Sequence, residues 1–320
     1  MSFTHTALVT GGTANLGFQC ALSIAQQHPE YLVVICSRSD PNSAAASINE
    51  TTRQKNVIFL PIDLSSLANV RAFADTWKTK QFPAIIALVL NAGLQIPGDV
   101  RMTGDGMEST FEINHVGHAL LFHLLFPHLA DKARITTTSS GTHDPAQKWG
   151  LPDAEYVTAE QLAHPTPESA KNAGRQRYAT SKLANIMWTY ALHRRLSAMP
   201  ERKLTVAAFD PGLMPGTNLG REGNSLEQFL WYRVLPRILP LLRLILNPNI
   251  HTPQESGANL ARLAIGADVE GKSGVYFEGK KIISSSKDSY DESKQEDLWE
   301  WTIKATAASE DERRQFELVN

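Results

Sequence analysis

Tyr178 and Lys182 stand four residues apart in the stretch YATSK, which puts both side chains on one face of a helix, one turn apart. A tyrosine hydroxyl ordinarily titrates near ~10, too high to exchange protons readily at neutral pH. A neighbouring ammonium stabilises the phenolate, so the pair reads as a general acid/base whose pKa Lys182 lowers. In isolation this spacing is more often a surface pair on an amphipathic helix, so the assignment depends on what accompanies it.

A second chemical feature lies near the N-terminus. Thr10-Gly-Gly-Thr-Ala-Asn-Leu-Gly17 follows a short apolar run and opens a helix-length one. A glycine turn in that place lets backbone approach a pyrophosphate, and the helix start supplies oriented N–H groups. Thr10, Gly11, Thr13, Asn15, Leu16 and Gly17 are therefore candidate cofactor contacts, the alternative being a plain tight turn. A ribose selector is expected about 20 residues further on, where the sequence reads Ile35-Cys-Ser-Arg38. No carboxylate ends that run. An arginine binds the 2′-phosphate that a carboxylate would repel, so Ser37 and Arg38 point to NADP(H) rather than NAD(H). Asp40 is the rival, able to serve a free ribose if the strand runs longer, and a solvated loop arginine is the plain reading.

Around these residues, apolar β-branched runs alternate with helix-length segments. The strand candidates are 6–10, 31–37, 57–62, 85–90, 134–139, 204–209 and, more weakly, 275–277. They are nearly continuous in apolar residues, as in strands covered on both faces. Helices are expected over 16–27, 67–80, 111–129 and 178–199. The pattern is α/β: a single doubly wound Rossmann-type domain over 1–320, with a mainly parallel sheet of about seven strands. Three elaborations stand out: an insertion at 141–174 with Trp149 near the expected active-site rim, an apolar segment within 218–252, and an acidic tail at 287–320 with a helix from Tyr290 to about Ala307. A capping box with proline at the first helical position, Thr252 to Glu255, restarts the series after the apolar segment.

With these motifs in order along the chain, the sequence resembles a short-chain dehydrogenase/reductase of the classical type. The wording FEINHVGHALLFHLLFP, YATSKLANIMWTYALHRRL and DPGLMPGTNLGRE is most similar to the branch of retinol dehydrogenases and light-dependent protochlorophyllide reductases. The resemblance implies an adenine contact at Asp63-Leu64, a cofactor-facing Asn91-Ala92-Gly93, and a Pro211-Gly212 pair beside the nicotinamide. It implies catalytic roles for Asn114, Ser140, Tyr178 and Lys182. Hydride passes between NADPH and a carbonyl carbon while Tyr178 exchanges the proton and Ser140 hydrogen-bonds the same oxygen. Lys182 also grips the nicotinamide ribose and Asn114 holds a relay water. Ser139 is the rival serine, expected to face away by strand alternation. Departures are Asn15 in place of the middle glycine, tolerable because asparagine accepts left-handed backbone, and a threonine that comes one position late, at Thr217.

The chain has 320 residues, a formal charge of −2 and 42% apolar residues, which excludes global disorder and disfavours a nucleic-acid binder. The tail carries 10 acids against 5 bases, leaving a mildly basic body. Two cysteines, Cys20 and Cys36, no signal peptide and no spanning run point to a reducing, cytoplasmic location. No metal is expected: His115, His118, His123 and His128 lack ligand spacing. Residues 229–246, apolar with arginines at 233, 237 and 243, read as a lid over a small hydrophobic substrate, as a packing surface, or as a contact with an anionic membrane. A homodimer through the helices bearing Asn114 and Tyr178 is a further expectation from the resemblance. Functional alternatives are a non-catalytic NADP(H) sensor or scaffold, and a double-bond reductase. The absence of cysteine beyond residue 36 weighs against the latter.

Overall fold

The computed structural model describes residues 2–148, 150–217 and 224–317; Trp149, the 218–223 part of the expected lid and residues 318–320 of the tail lie outside the described residues. In chain order the elements are β1 (His5–Thr10), α1 (Asn15–Gln27), β2 (Tyr31–Ser37), α2 (Ala44–Thr52), β3 (Val57–Pro61), α3 (Leu67–Lys80) and β4 (Ile85–Leu90). Then α4 (Ser109–Phe111) continues through a π-helical turn (Glu112–Val116) into α5 (Gly117–Leu125), followed by β5 (Leu129–Thr138), α6 (Ala159–Ala163), α7 (Gly174–Ser197) and β6 (Thr205–Asp210). The C-terminal part holds α8 (Ser225–Phe229), α9 (Leu239–Ile245), α10 (Pro253–Ile265), β7 (Val275–Glu278), β8 (Lys281–Ile283), α11 (Glu292–Thr306) and α12 (Glu310–Phe316).

One sheet runs in the order β3-β2-β1-β4-β5-β6-β7-β8, parallel throughout except that β8 returns antiparallel on β7. The eighth strand corrects the expectation of about seven. It is three residues long, largely exposed and joined to β7 by a two-residue turn at Gly279 (φ +55°), too short for a periodic signal. Alternate strand residues feed two cores. Leu8, Val34, Leu88 and Ile135 pack under α3, α5, α7 and α11. Ala7, Val9, Ile35 and Val89 pack under α1, α2 and α10. This double burial is why the strands read as continuous apolar runs.

Two elements differ from the sequence reading, each for a local reason. The α2 helix was not anticipated; Asp40, four residues upstream, caps it by accepting from Ala44 N (2.7 Å) and Ala45 N (3.4 Å). The helix expected to reach residue 129 stops at Leu125 because Pro127 opens a 3-10 turn, and β5 starts at once. The expected capping box at Thr252 and Glu255 is formed.

The tail is not an appendage. Leu298 and Trp299 of α11 bury against α7, capped by Asp291 accepting from Ser293 N and Lys294 N. Arg194 and Arg195 both reach Glu296 at 2.6 Å, and Arg71 pairs with Glu312 at 2.7 Å. The acidic tail thus meets cations of the basic body. It also packs on α7, one of the helices through which a homodimer is expected. Among the described residues no helix is long and apolar enough to cross a membrane.

Candidate active site

Strand order reverses between β1 and β4, which leaves a crevice at the carboxyl ends of the strands. The turn after β1 lies in that crevice. Gly11 has φ +66° and Asn15 φ +48°, so the asparagine takes the left-handed backbone expected of it. A Cβ on Gly17 would lie 2.3 Å from the Gly11 carbonyl oxygen and 2.7 Å from Asn91 Nδ2. Only glycine permits this close approach, and the fold leaves the turn's peptide groups at the mouth of the crevice.

Hydrogen bonds tie the turn to the end of β4. The Thr10 hydroxyl accepts from Asn91 N (2.8 Å) and Ala92 N (2.9 Å), and the Asn91 amide donates to the Thr10 carbonyl (2.8 Å). At the end of β2, the Ser37 hydroxyl meets Thr13 Oγ1 at 2.7 Å. Arg38 is exposed and carries no ion pair among the described residues. Asp40, its rival, is engaged in capping α2. Beyond β3, Asp63 accepts from Ser65 N (3.0 Å) and Ser65 Oγ (2.7 Å), and Leu64 is buried beside it.

The π-helical turn carries Asn114; such turns, which insert one extra residue into a helix, recur at functional sites. Its side chain accepts from Leu94 N (2.9 Å) and donates to Leu94 O (3.0 Å) and Ser181 Oγ (2.9 Å), holding the loop after Gly93 against α7. A cavity of about 10 Å³, the size of one water, lies beside it, lined by Asn114, His115, His118, Thr137, Asn185 and Trp188. On α7, Tyr178 is buried beside Ser140. Lys182 Nζ sits 5.5 Å from the Tyr178 ring centre and donates to the Thr138 carbonyl (3.1 Å), which Asn185 also contacts (3.1 Å). Just upstream, Arg177 forms a buried pair with Glu108 (3.4 Å) that anchors the start of the helix. Ser139 turns to α7 and donates to the Lys182 carbonyl (2.8 Å), so its hydroxyl is already used by the fold. The four residues Asn114, Ser140, Tyr178 and Lys182 therefore converge.

Electrostatics correct one expectation. Burial pushes the Tyr178 phenol above its ordinary value; the Asp210 carboxylate adds to this and the Ser140 hydrogen bond opposes it. Burial lowers Lys182 to about 8, with Asp210 opposing. Desolvation thus sets the direction of the Tyr178 shift, the reverse of that read from spacing.

The family model for short chain dehydrogenase matches residues 5–150, and that for the AcuH dehydrogenase domain matches residues 221–314. Human polyprenol dehydrogenase is 30% identical over 308 residues, a match covering 94% of this chain and 85% of that protein. The chain belongs to the short-chain dehydrogenase family. It is 30% identical to the zebrafish (Danio rerio) WW domain-containing oxidoreductase over 299 residues, 92% of this chain and 66% of that protein's length. In fold it is similar to a blue fluorescent protein from a metagenomic library solved in complex with NADPH, with TM-score 0.61, 21% identity, and coverage of 87% of this chain and 98% of that one.

Several residues of this short-chain dehydrogenase's site were not singled out from sequence. His118 accepts or donates at Thr10 Oγ1 (2.9 Å) through Nε2 and meets the Asn114 carbonyl (3.2 Å) through Nδ1. It therefore bridges the glycine turn to the asparagine turn; burial lowers its pKa to about 4, so it is neutral. The clue was its place one helical turn after Asn114. His143 donates from Nδ1 to the Ser140 carbonyl (2.7 Å) and accepts from Ser286 N (3.0 Å) at Nε2. Asp210, next to Pro211, accepts from Gly212 N (2.9 Å), Asn249 Nδ2 (2.7 Å) and the Gly141 backbone. Burial still pushes it up to about 6. Gly212 has φ +74°, and a Cβ there would lie 2.4 Å from the Asn249 carbonyl oxygen. Thr217 donates to the Met214 carbonyl (2.9 Å), an internal bond of its own loop.

Proposed function

We propose that this short-chain dehydrogenase uses NADP(H) to interconvert a hydrophobic carbonyl compound and its alcohol. The observation that carries the reading is the buried Tyr178, beside Ser140 and backed by Lys182, at the crevice where the glycine turn opens. The cofactor fits this chain's residues: the turn has backbone where a side chain would clash, and Arg38 is free at the ribose end while Asp40 is not. Thr10, Gly11, Thr13, Asn15, Leu16 and Gly17 would hold the pyrophosphate. Ser37 and Arg38 would hold the 2′-phosphate, and Asp63 and Leu64 the adenine. Asn91, Ala92, Gly93, Pro211 and Gly212 would line the nicotinamide end. When bound, NADP(H) supplies or accepts the hydride.

The protein's own part is proton transfer and orientation. A raised pKa keeps Tyr178 protonated at neutral pH, the form that gives a proton to an alkoxide, so the resting site is loaded for reduction. The Ser140 hydroxyl points to the same oxygen and offsets its developing charge. Lys182 holds a positive charge beside Tyr178 and resupplies the proton, and the small cavity beside Asn114 has room for one relay water. An apolar substrate fits the apolar 225–246 segment after Gly212, and the human relative is named for a polyprenol. Buried, unpaired Cys20 and Cys36 suit a reducing, cytoplasmic setting.

The direct test is NADPH oxidation against a panel of apolar aldehydes and ketones, repeated with NADH; no turnover of any member would sink the reading. Arg38→Asp is expected to lower kcat/KM for NADPH by roughly 10- to 100-fold and to raise that for NADH, since charged hydrogen bonds contribute about 1.5–3 kcal/mol. An unchanged cofactor ratio would remove Arg38 from the phosphate site. The pH profile of kcat/KM is expected to be bell-shaped. It falls as pH drops below about 6, where Asp210 gains a proton and no longer holds Gly212, Asn249 and Gly141 as a carboxylate. It falls again as pH rises past about 8, where Lys182 loses its charge. A flat profile from pH 5 to 9 would contradict both assignments.

A further inference from the structure

Eleven large apolar side chains are exposed among the described residues, and seven of them lie between Leu226 and Leu246. Leu244 is 83% exposed, Leu246 68%, Leu226 67% and Phe229 58%. Leu226, Leu230, Arg233 and Arg237 are all exposed, so two arginines accompany the apolar side chains at the surface. Both are exposed, and neither carries an ion pair among the described residues. Residues 228–254 contain three arginines and no aspartate or glutamate.

The inner side of the segment is already occupied. Leu242 is buried, the Trp231 indole donates to the Thr217 carbonyl (2.8 Å), and Arg243 pairs with Glu255. Among the described residues the outer side is the one without a partner, and a contiguous apolar patch of this kind on a protein surface marks an interaction site. Charge decides between two occupants. A second copy would set the patch against itself about a two-fold axis, bringing Arg233 and Arg237 against their own counterparts, while the one carboxylate of the segment, Glu227, is already engaged by Arg175 and the cap of α8. An anionic bilayer supplies both missing partners: an acyl boundary for the leucines and phosphates for the guanidinium groups.

We infer that residues 225–246 dock on an anionic phospholipid bilayer, with Leu226, Phe229, Leu244 and Leu246 entering the acyl boundary and Arg233 and Arg237 meeting lipid phosphates. The inference concerns a surface and stands whatever the enzyme reduces. Flotation of the purified full chain with extruded vesicles tests it, comparing phosphatidylcholine with an equal mixture of phosphatidylcholine and phosphatidylserine. The protein is expected to float with the anionic vesicles at least tenfold more than with the neutral ones, and to be released by high salt. Arg233→Glu with Arg237→Glu is expected to lower partitioning by about 30-fold or more, as each basic residue near an anionic surface contributes about 1 kcal/mol. Leu244→Ser with Leu246→Ser is expected to release the protein too. Thermal melting of both variants checks that they fold, and the lipid comparison on the unaltered chain decides the matter without them. Absence of flotation, or equal flotation on neutral vesicles, overturns the inference. So does a lipid-free dimer that Leu244→Ser with Leu246→Ser dissolves, which would assign the face to a second copy.

Discussion

Phenylalanine in place of Tyr178 is expected to lower turnover about a thousandfold, within the usual range for a lost general acid, while NADPH affinity changes by no more than about threefold. The substitution removes one hydroxyl and keeps the ring that fills the site, where Tyr178 is 7% exposed. Ser140 beside it is only half-buried, so water can reach its hydroxyl and the fold should be little disturbed. Lys182 keeps its bond to the Thr138 carbonyl and with it any grip on the cofactor. Steady-state rates with a reactive apolar aldehyde and fluorescence titration with NADPH measure the two quantities separately. A variant within tenfold of the parent rate would exclude Tyr178 as the proton donor. A variant that lost NADPH binding as well as turnover would mean that the hydroxyl serves the cofactor first.

Alanine in place of Gly17 is expected to weaken NADPH binding about a hundredfold and to cost about 3 kcal/mol of stability, the upper part of the range for overpacking. The new methyl would meet the Gly11 carbonyl oxygen at 2.3 Å and Asn91 Nδ2 at 2.7 Å. The first is backbone inside the turn, and the second is held by its bond to the Thr10 carbonyl, so neither can yield cheaply. Relief requires the turn to open, which moves Thr10 and Asn15 together. Urea denaturation gives the stability and NADPH titration the affinity. If both stayed at the parent values, the turn would not be the phosphate cradle.

Much of this was legible in the sequence because the relevant contacts are short in sequence or strongly typed. The six long strands announce themselves by apolar runs that both faces require. The Tyr178–Lys182 spacing sets one helical face, and Asn15 is the residue most able to stand in for glycine. The rest depends on long-range contacts. Ser286 reaches His143 across 143 positions, and Asn249 meets Asp210 across 39; neither pairing leaves a local mark. The direction of the Tyr178 shift failed for the same reason. Spacing reports the lysine one turn away, whereas burial beside Asp210 comes from strands and loops assembled around it. The α2 helix was missed because its capping residue, Asp40, lies outside it and had a competing reading as a ribose contact.

The docking of α11 and α12 on α7 has a consequence in the order of synthesis. Leu298, Trp299 and Phe316 complete the core over Trp188 and Leu192, and Glu312 reaches back 241 residues to Arg71. At translation speeds of ~5–20 residues per second, the stretch from the end of α7 to α12 takes on the order of 10 s to emerge. For that interval the helix bearing Tyr178 and Lys182 exists with its outer apolar side bare. The elements that seal the reaction centre from behind therefore emerge well after it, and until they dock the nascent chain is more exposed to aggregation and to chaperones.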